Sequence, residues 1–175
     1  SPYVDSPESV PKCVMVWGGN YAHAAPAFYS LLLSFVKRGT KLIMVEPVKT
    51  ELAKKANLVL QLRPATDAAL ALGMLNVIIN EGLYDKEFVD KWTYGFDELK
   101  ERVQEYPPDK VASITWVPKE KIIEAARLYA TSKPAAIQWG IPIDSCPQGT
   151  VVSQAITHLW CITGNLDVPG GNVIA

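Results

Sequence analysis

Three short clusters in this chain could do chemistry on a nucleotide, and each stands at the end of an apolar run. Cys13-Val14-Met15-Val16 runs into Trp17-Gly18-Gly19-Asn20, and Leu42-Ile43-Met44-Val45 runs into Glu46-Pro47. Leu58-Val59-Leu60 soon reaches Pro64-Ala65-Thr66-Asp67. Glycines let a backbone approach phosphates closely, and main-chain N–H groups in such a turn favour anions. The carboxylates of Glu46 and Asp67 can accept hydrogen bonds from ribose hydroxyls or from the N–H groups of guanine. Each cluster also has a purely structural reading. A Gly-Gly can be a tight strand-to-helix turn, Glu46 suits the dipole of a following helix, and Asp67 can be an N-cap. Their joint placement at three successive strand ends points to a nucleotide-bearing cofactor across the carboxyl edge of a parallel sheet.

A second cluster spans 140–165. Gly140 ends a strand, Gln148-Gly149-Thr150 opens a helix, and Thr163-Gly164-Asn165 closes it. Turn, helix start and C-cap account for these glycines without a ligand. Asp144, Ser145 and Cys146 fall in an irregular loop after a strand, a place where function is common. Nucleophilic catalysis has no local support, because Cys146 lacks a recognisable partner. His23 follows the Gly-Gly-Asn turn as a loop histidine, and His158, inside an apolar helix, reads as a hydrogen-bonded core histidine. The absence of G-x-G-x-x-G removes the usual nicotinamide fingerprint. Cys13, Cys146 and Cys161 form no CxxC pair, which argues against a disulfide framework, structural zinc or an iron–sulfur cluster in this chain.

The elements that must position these residues alternate. Strands are expected at 12–16, 41–45 and 58–62, and helices at 26–37, 51–56 and from Asp67 to 81, with Thr50 capping the second of these. This β-α-β-α-β alternation predicts a Rossmann-like, three-layer α-β-α fold with a mainly parallel sheet. Further helices are expected at 86–92, 96–105 and 118–130, with Pro107-Pro108 separating the middle pieces. A strand at 135–139 and a helix at 150–162 complete the series. The expected organisation is a linker at 1–11, a cofactor-binding α/β domain at 12–133, and a segment at 134–175. That last segment either begins an adjoining α/β domain or adds a strand and helix to the same sheet.

Composition narrows the classes. At 175 residues the chain can build a real core, and 49% hydrophobic with 20% charged residues is ordinary for a globular protein. A net charge of −1 gives no footprint for nucleic acid, and no apolar stretch is long enough to span a membrane. The prolines at 2, 7 and 11, the start at Ser1 and the abrupt end after Gly170-Gly171 read as a piece of a longer polypeptide.

In order along the chain these segments resemble the molybdopterin oxidoreductase family of the dimethyl-sulfoxide-reductase type, which includes formate dehydrogenases and nitrate reductases. The matching stretches are 16–20, 41–47, 62–70, 82–89 and 162–171, so the likeness covers nearly everything from Cys13 onward. The resemblance implies a bis(molybdopterin guanine dinucleotide) cofactor around molybdenum or tungsten, in an enzyme of the kind that serves anaerobic respiration. It implies that Gly18, Gly19 and Asn20 approach the dinucleotide phosphates, that Glu46 contacts the ribose, and that Thr66 and Asp67 meet the guanine, with Trp17, Pro47 and Pro64 counted among the cofactor-binding residues. Gly140, Gly149, Thr163, Gly164 and Asn165 are similar to segments lining the cofactor. The chain departs from the family pattern at Glu46, where Asp is commoner, and at Val48, often Arg. It departs again at Ala65, the Gly of Pro-Gly-Thr-Asp, and at Ser145, often Gln.

The resemblance places the metal ligand, any iron–sulfur cluster and the completing domains outside this segment. The implied partners are those domains and an iron–sulfur electron-transfer subunit, in a prokaryotic cytoplasm or periplasm. The isolated segment is expected to retain no cofactor and to lack turnover. Two other readings stay open at this point: a nucleotide-binding domain like the central domain of thiamine-diphosphate enzymes, and an interaction module that has lost its ligand.

Overall fold

At the centre of the computed structural model, which describes residues 9–173, lies a wholly parallel sheet of β1 (Cys13–Trp17), β2 (Lys41–Val45), β3 (Leu58–Leu60) and β4 (Ala135–Trp139). The strand order is β3-β2-β1-β4. β1 is paired along its whole length on both sides, Cys13 opposing Lys41 and Ala135, Trp17 opposing Val45 and Trp139. An unbroken apolar strand suits this place, because a central parallel strand is buried on both faces.

The two faces of β1 feed two cores. Cys13, Met15 and Trp17 pack with α3 (Asp67–Asn80), α7 (Lys119–Thr131) and α9 (Gly149–Ile162) through residues such as Met74, Tyr129 and Leu159. Val14 and Val16 face Leu32 and Phe35 of α2 (Pro26–Lys37) on the other side. The fold is the α/β class expected, with helices on both faces of a parallel sheet.

Local differences have physical causes. Short helices α1 (Tyr21–Ala24) and α8 (Ile141–Ser145) fill turns too brief to show a period. Pro108 opens α6 (Pro108–Thr115) at its first position, where the missing N–H costs nothing, so the proline pair starts a helix rather than only separating two. The stretch expected at 51–56 is a 3-10 turn, Leu52–Lys55, with Thr50 Oγ1 accepting from the Ala53 N–H at 3.2 Å. α4 (Lys86–Trp92) matches its expected bounds, whereas the helix expected at 96–105 divides into α5 (Phe96–Arg102) and a 3-10 turn, Val103–Glu105. Of the linker expected at 1–11, residues 1–8 lie outside the described residues. Residues 9–11 pack on the body, Ser9 and Pro11 being buried and the Thr40 hydroxyl donating to the Pro11 carbonyl at 2.6 Å.

β4 has no strand on its outer side among the described residues, yet its edge is not bare. Asn165 Oδ1 accepts the Ala135 N–H, and Asn172 closes a double contact with Ile137, accepting from its N–H and donating to its carbonyl, each at 2.8 Å. Both asparagines are almost wholly buried, so these side chains stand in for a neighbouring strand. Asn172→Ala leaves a buried N–H and a buried carbonyl of Ile137 without partners. It is expected to cost roughly 2–4 kcal/mol. Urea unfolding measures this, and an unchanged midpoint and slope would refute the clamp.

Candidate functional site

The chain moves outward from β1 to β3 and then returns on the far side of β1 as β4. The order therefore reverses between β1 and β4, and open α/β sheets bind ligands outside the carboxyl ends at such a point. Both strands end level on a tryptophan followed by glycine. The Gly140 N–H donates to the Trp17 carbonyl and the Gly18 N–H to the Val45 carbonyl, each at 2.9 Å. Any side chain at position 140 would overlap the Gly18 carbonyl, and Gly18 itself takes φ +60° with Ile143 against it. These two glycines let the exits of neighbouring strands pass in direct backbone contact.

Beyond them, Gly19 is buried against the Tyr21 ring, whose hydroxyl donates to the Trp139 carbonyl at 2.8 Å. Asn20 is exposed. The backbone N–H groups of Gly19 and Asn20 have no hydrogen-bond partner among the described residues.

Asp67 is the first residue of α3, and the cap position belongs to Thr66. The Thr66 hydroxyl donates to the Arg63 carbonyl at 2.6 Å, closing a turn in which Ala65 holds φ +65°. The Asp67 carboxylate does not cap its helix. It accepts a hydrogen bond from Trp17 Nε1 at 2.8 Å, while the helix dipole favours its negative charge. Trp17 is fully buried, so its indole reaches the edge only through that carboxylate. Trp17, expected among the cofactor-binding residues, is joined to this edge by its bond to Asp67.

Glu46 is half-buried at the end of β2. Burial pushes its carboxyl above the ordinary range, the Val48 N–H pulls it back, and the charge of Asp67 adds to the rise. Two carboxylates therefore share this edge closely enough to sense each other. Pro47 offers its carbonyl to Gln61 Nε2 at 2.8 Å, and Pro64 is exposed at the start of the Thr66 turn.

Of the remaining expected residues, Gly149 stays beside this edge, next to the Ile143 that packs on Gly18, and the other three lie at the opposite end of β4. Gly149 is buried where α8 meets α9, and a side chain there would press on the Asp144 carbonyl. Thr163 donates to the Leu159 carbonyl, Gly164 lies under the Asp85 carboxylate, and Asn165 holds Ala135 at the amino end of β4. About 13 Å of strand separates Asn165 from the carboxyl edge. The polar groups of these three serve the fold because the loop they form substitutes for a fifth strand. His158 stands on the exposed face of α9 without a hydrogen bond among the described residues, and partial desolvation lowers its pKa. Burial pushes the Cys13 thiol up to about 12, and no metal-binding group of three His, Cys, Asp or Glu occurs among the described residues.

Sequence reasoning missed two contacts at this edge. Trp139 Nε1 donates to Asp144 Oδ1 at 3.1 Å, with its ring stacked on Trp160 at 5.4 Å. The other is the Trp17–Asp67 bond itself. The one available signal was that both strands end in Trp-Gly.

The geometry has known counterparts. A family model described as molybdopterin oxidoreductase matches residues 9–175. Acetylene hydratase of Syntrophotalea acetylenica is 45% identical over 164 residues, covering 93% of this chain and 22% of that protein. Formate dehydrogenase H of Escherichia coli K12 is 38% identical over 160 residues, covering 91% and 22%. The solved structure of acetylene hydratase from Pelobacter acetylenicus superposes with a TM-score of 0.89 at 44% identity, covering 97% of this chain and 23% of that one. The chain thus spans less than a quarter of the length of these relatives.

The position of Glu46 sets a pH-dependent cost. Its folded pKa is raised above the ordinary 4.5, so its contribution to stability is complete below that value and is lost as pH rises through the folded pKa. Glu46→Gln is expected to raise the melting temperature at pH 7, and the gain to vanish as the pH falls below 4.5. A gain that persists at acid pH would show that charge is not the cause.

Proposed function

Because the chain belongs to the molybdopterin oxidoreductase family, we propose that it holds the guanine dinucleotide end of a bis(molybdopterin guanine dinucleotide) cofactor within a larger molybdenum- or tungsten-dependent catalytic subunit. One observation carries this reading. The Asp67 carboxylate, fixed by a buried indole N–H, shares the switch-point edge with the unpartnered N–H groups of Gly19 and Asn20. That donor and acceptor set fits the group. An ionised carboxylate has no donor of its own and matches a base edge with two adjacent N–H groups, as guanine has.

The residues divide the work. Gly18 sets the turn, and the Gly19 and Asn20 N–H groups hold phosphate oxygens. Glu46 accepts from ribose hydroxyls. Thr66 fixes the turn that presents Asp67 to the guanine. Pro47 and Pro64, with φ locked by their rings, set the direction in which the chain leaves each acid. Gly140 brings the β4 exit against the β1 exit and so closes the far side of the crevice. Gly149, Thr163, Gly164 and Asn165 support the framework only.

When bound, the cofactor supplies redox chemistry at its metal through the pterins, and the protein supplies binding and orientation. The partners proposed are the remaining domains of the same polypeptide, an iron–sulfur cluster elsewhere in it, and an iron–sulfur electron-transfer subunit. No helix of the described residues is long and apolar enough to cross a membrane. The family match weighs against the thiamine-diphosphate reading.

Guanosine diphosphate titrated into the cofactor-free complete polypeptide tests the site. Asp67→Ala is expected to weaken binding by tenfold or more, the loss of charge-assisted hydrogen bonds worth about 1.5–3 kcal/mol. Equal, negligible binding by both proteins would favour a module that has lost its ligand. The purified 175-residue chain is expected to show no turnover, and measurable substrate conversion by it would refute the division of labour proposed here.

A further inference from the structure

Asp67 is half-buried at the start of α3, on the first turn of a helix that could present its carboxylate in several rotamers. One of its oxygens is held by an indole that cannot move. Trp17 is the last residue of the central strand, fully buried, and its backbone is committed on both sides to Val45 and Trp139. The bond Trp17 Nε1 to Asp67 Oδ1, 2.8 Å long, joins residues 50 apart in sequence. It fixes the plane of the carboxylate relative to the sheet, not merely to its own helix.

We infer that Trp17 is a specificity-determining positioning residue, whose indole N–H orients the Asp67 carboxylate so that the site selects a base with two neighbouring N–H donors over a base with one. The inference rests on the nucleotide reading of this edge. The physical reason is geometric. A mobile base with a single N–H can follow a carboxylate oxygen through almost any rotation of the group, whereas two parallel N–H groups need both oxygens in one plane at a set angle. An indole on one lone pair of Oδ1 leaves the other lone pair and the whole of Oδ2 available, while removing the rotation that would spoil the second contact. Guanine has that pair of donors at N1 and N2, and hypoxanthine has only the N1–H.

Removing the indole N–H therefore harms the two-donor base most. In the cofactor-free complete polypeptide, affinities for guanosine diphosphate and inosine diphosphate are measured by calorimetry for wild type and Trp17→Phe. Trp17→Phe is expected to weaken guanosine diphosphate by about tenfold and inosine diphosphate by about threefold or less, so that discrimination collapses. Equal losses for both nucleotides, or none for either, would overturn the inference, because a packing defect does not distinguish the bases. If Trp17→Phe fails to fold, the wild-type indole N–H resonance of Trp17 is followed instead. It should shift on adding guanosine diphosphate and shift much less with inosine diphosphate, and a resonance unmoved by either overturns the inference. Failure of the underlying reading looks different: wild type and Asp67→Ala then bind neither nucleotide, and both conclusions fall together.

Discussion

β1 is hydrogen-bonded on both sides over all of its residues, and the carboxyl edge inherits its geometry from that constraint. A strand locked to two neighbours cannot slide by one residue without turning every buried side chain to the opposite face. Its end is consequently a fixed reference point. Gly18, Trp17 and the exits of β2 and β4 are placed by the register, and the two loops that pass beside them are placed by hydrogen bonds to those ends. The register thus converts apolar burial, which has no direction, into polar groups that point in definite directions.

The framework was legible because it is built from continuous apolar runs. The runs of β1 and β2 and the periodic faces of α2 and α3 leave little freedom in where those elements fall. The edge itself was legible as a row of strand ends. Less visible was how residues at that edge are joined, since Trp17 and Asp67 are far apart in sequence and nothing local couples an indole to a carboxylate. Thr163, Gly164 and Asn165 are ambiguous in sequence for a related reason. Gly and Asn in a turn look the same whether the asparagine faces a ligand or bonds to a neighbouring strand. Only the position of Ala135 opposite Asn165 separates the two. Residues 9–11 resemble a linker by composition, yet Thr40 holds Pro11 against the body and Gly170 leaves room for Ser9 and Pro11 beside it.

Ala65 takes a backbone conformation that favours glycine. The position takes φ +65°, a region that costs an L-residue with a Cβ about 1–2 kcal/mol and costs glycine nothing. The turn is nonetheless kept, with Thr66 bonded back to Arg63 and Arg63 itself lying over the exposed Trp116 ring at 5.5 Å. Strain at one residue is tolerated because its neighbours on both sides are tied down. The residue so held is next but one to Asp67, so the turn's rigidity is transmitted to the carboxylate.

The asparagine clamp on β4 bears on how such a sheet can be enlarged. The Ala135 N–H and both backbone groups of Ile137 on that border are satisfied from within the chain by Asn165 and Asn172, so an incoming strand cannot pair there without displacing them. The opposite border, β3, keeps only Lys121 resting on the Val59 carbonyl at 3.3 Å. At Ala135 and Ile137 the β4 flank therefore presents asparagine side chains where a bare strand would present its own ladder.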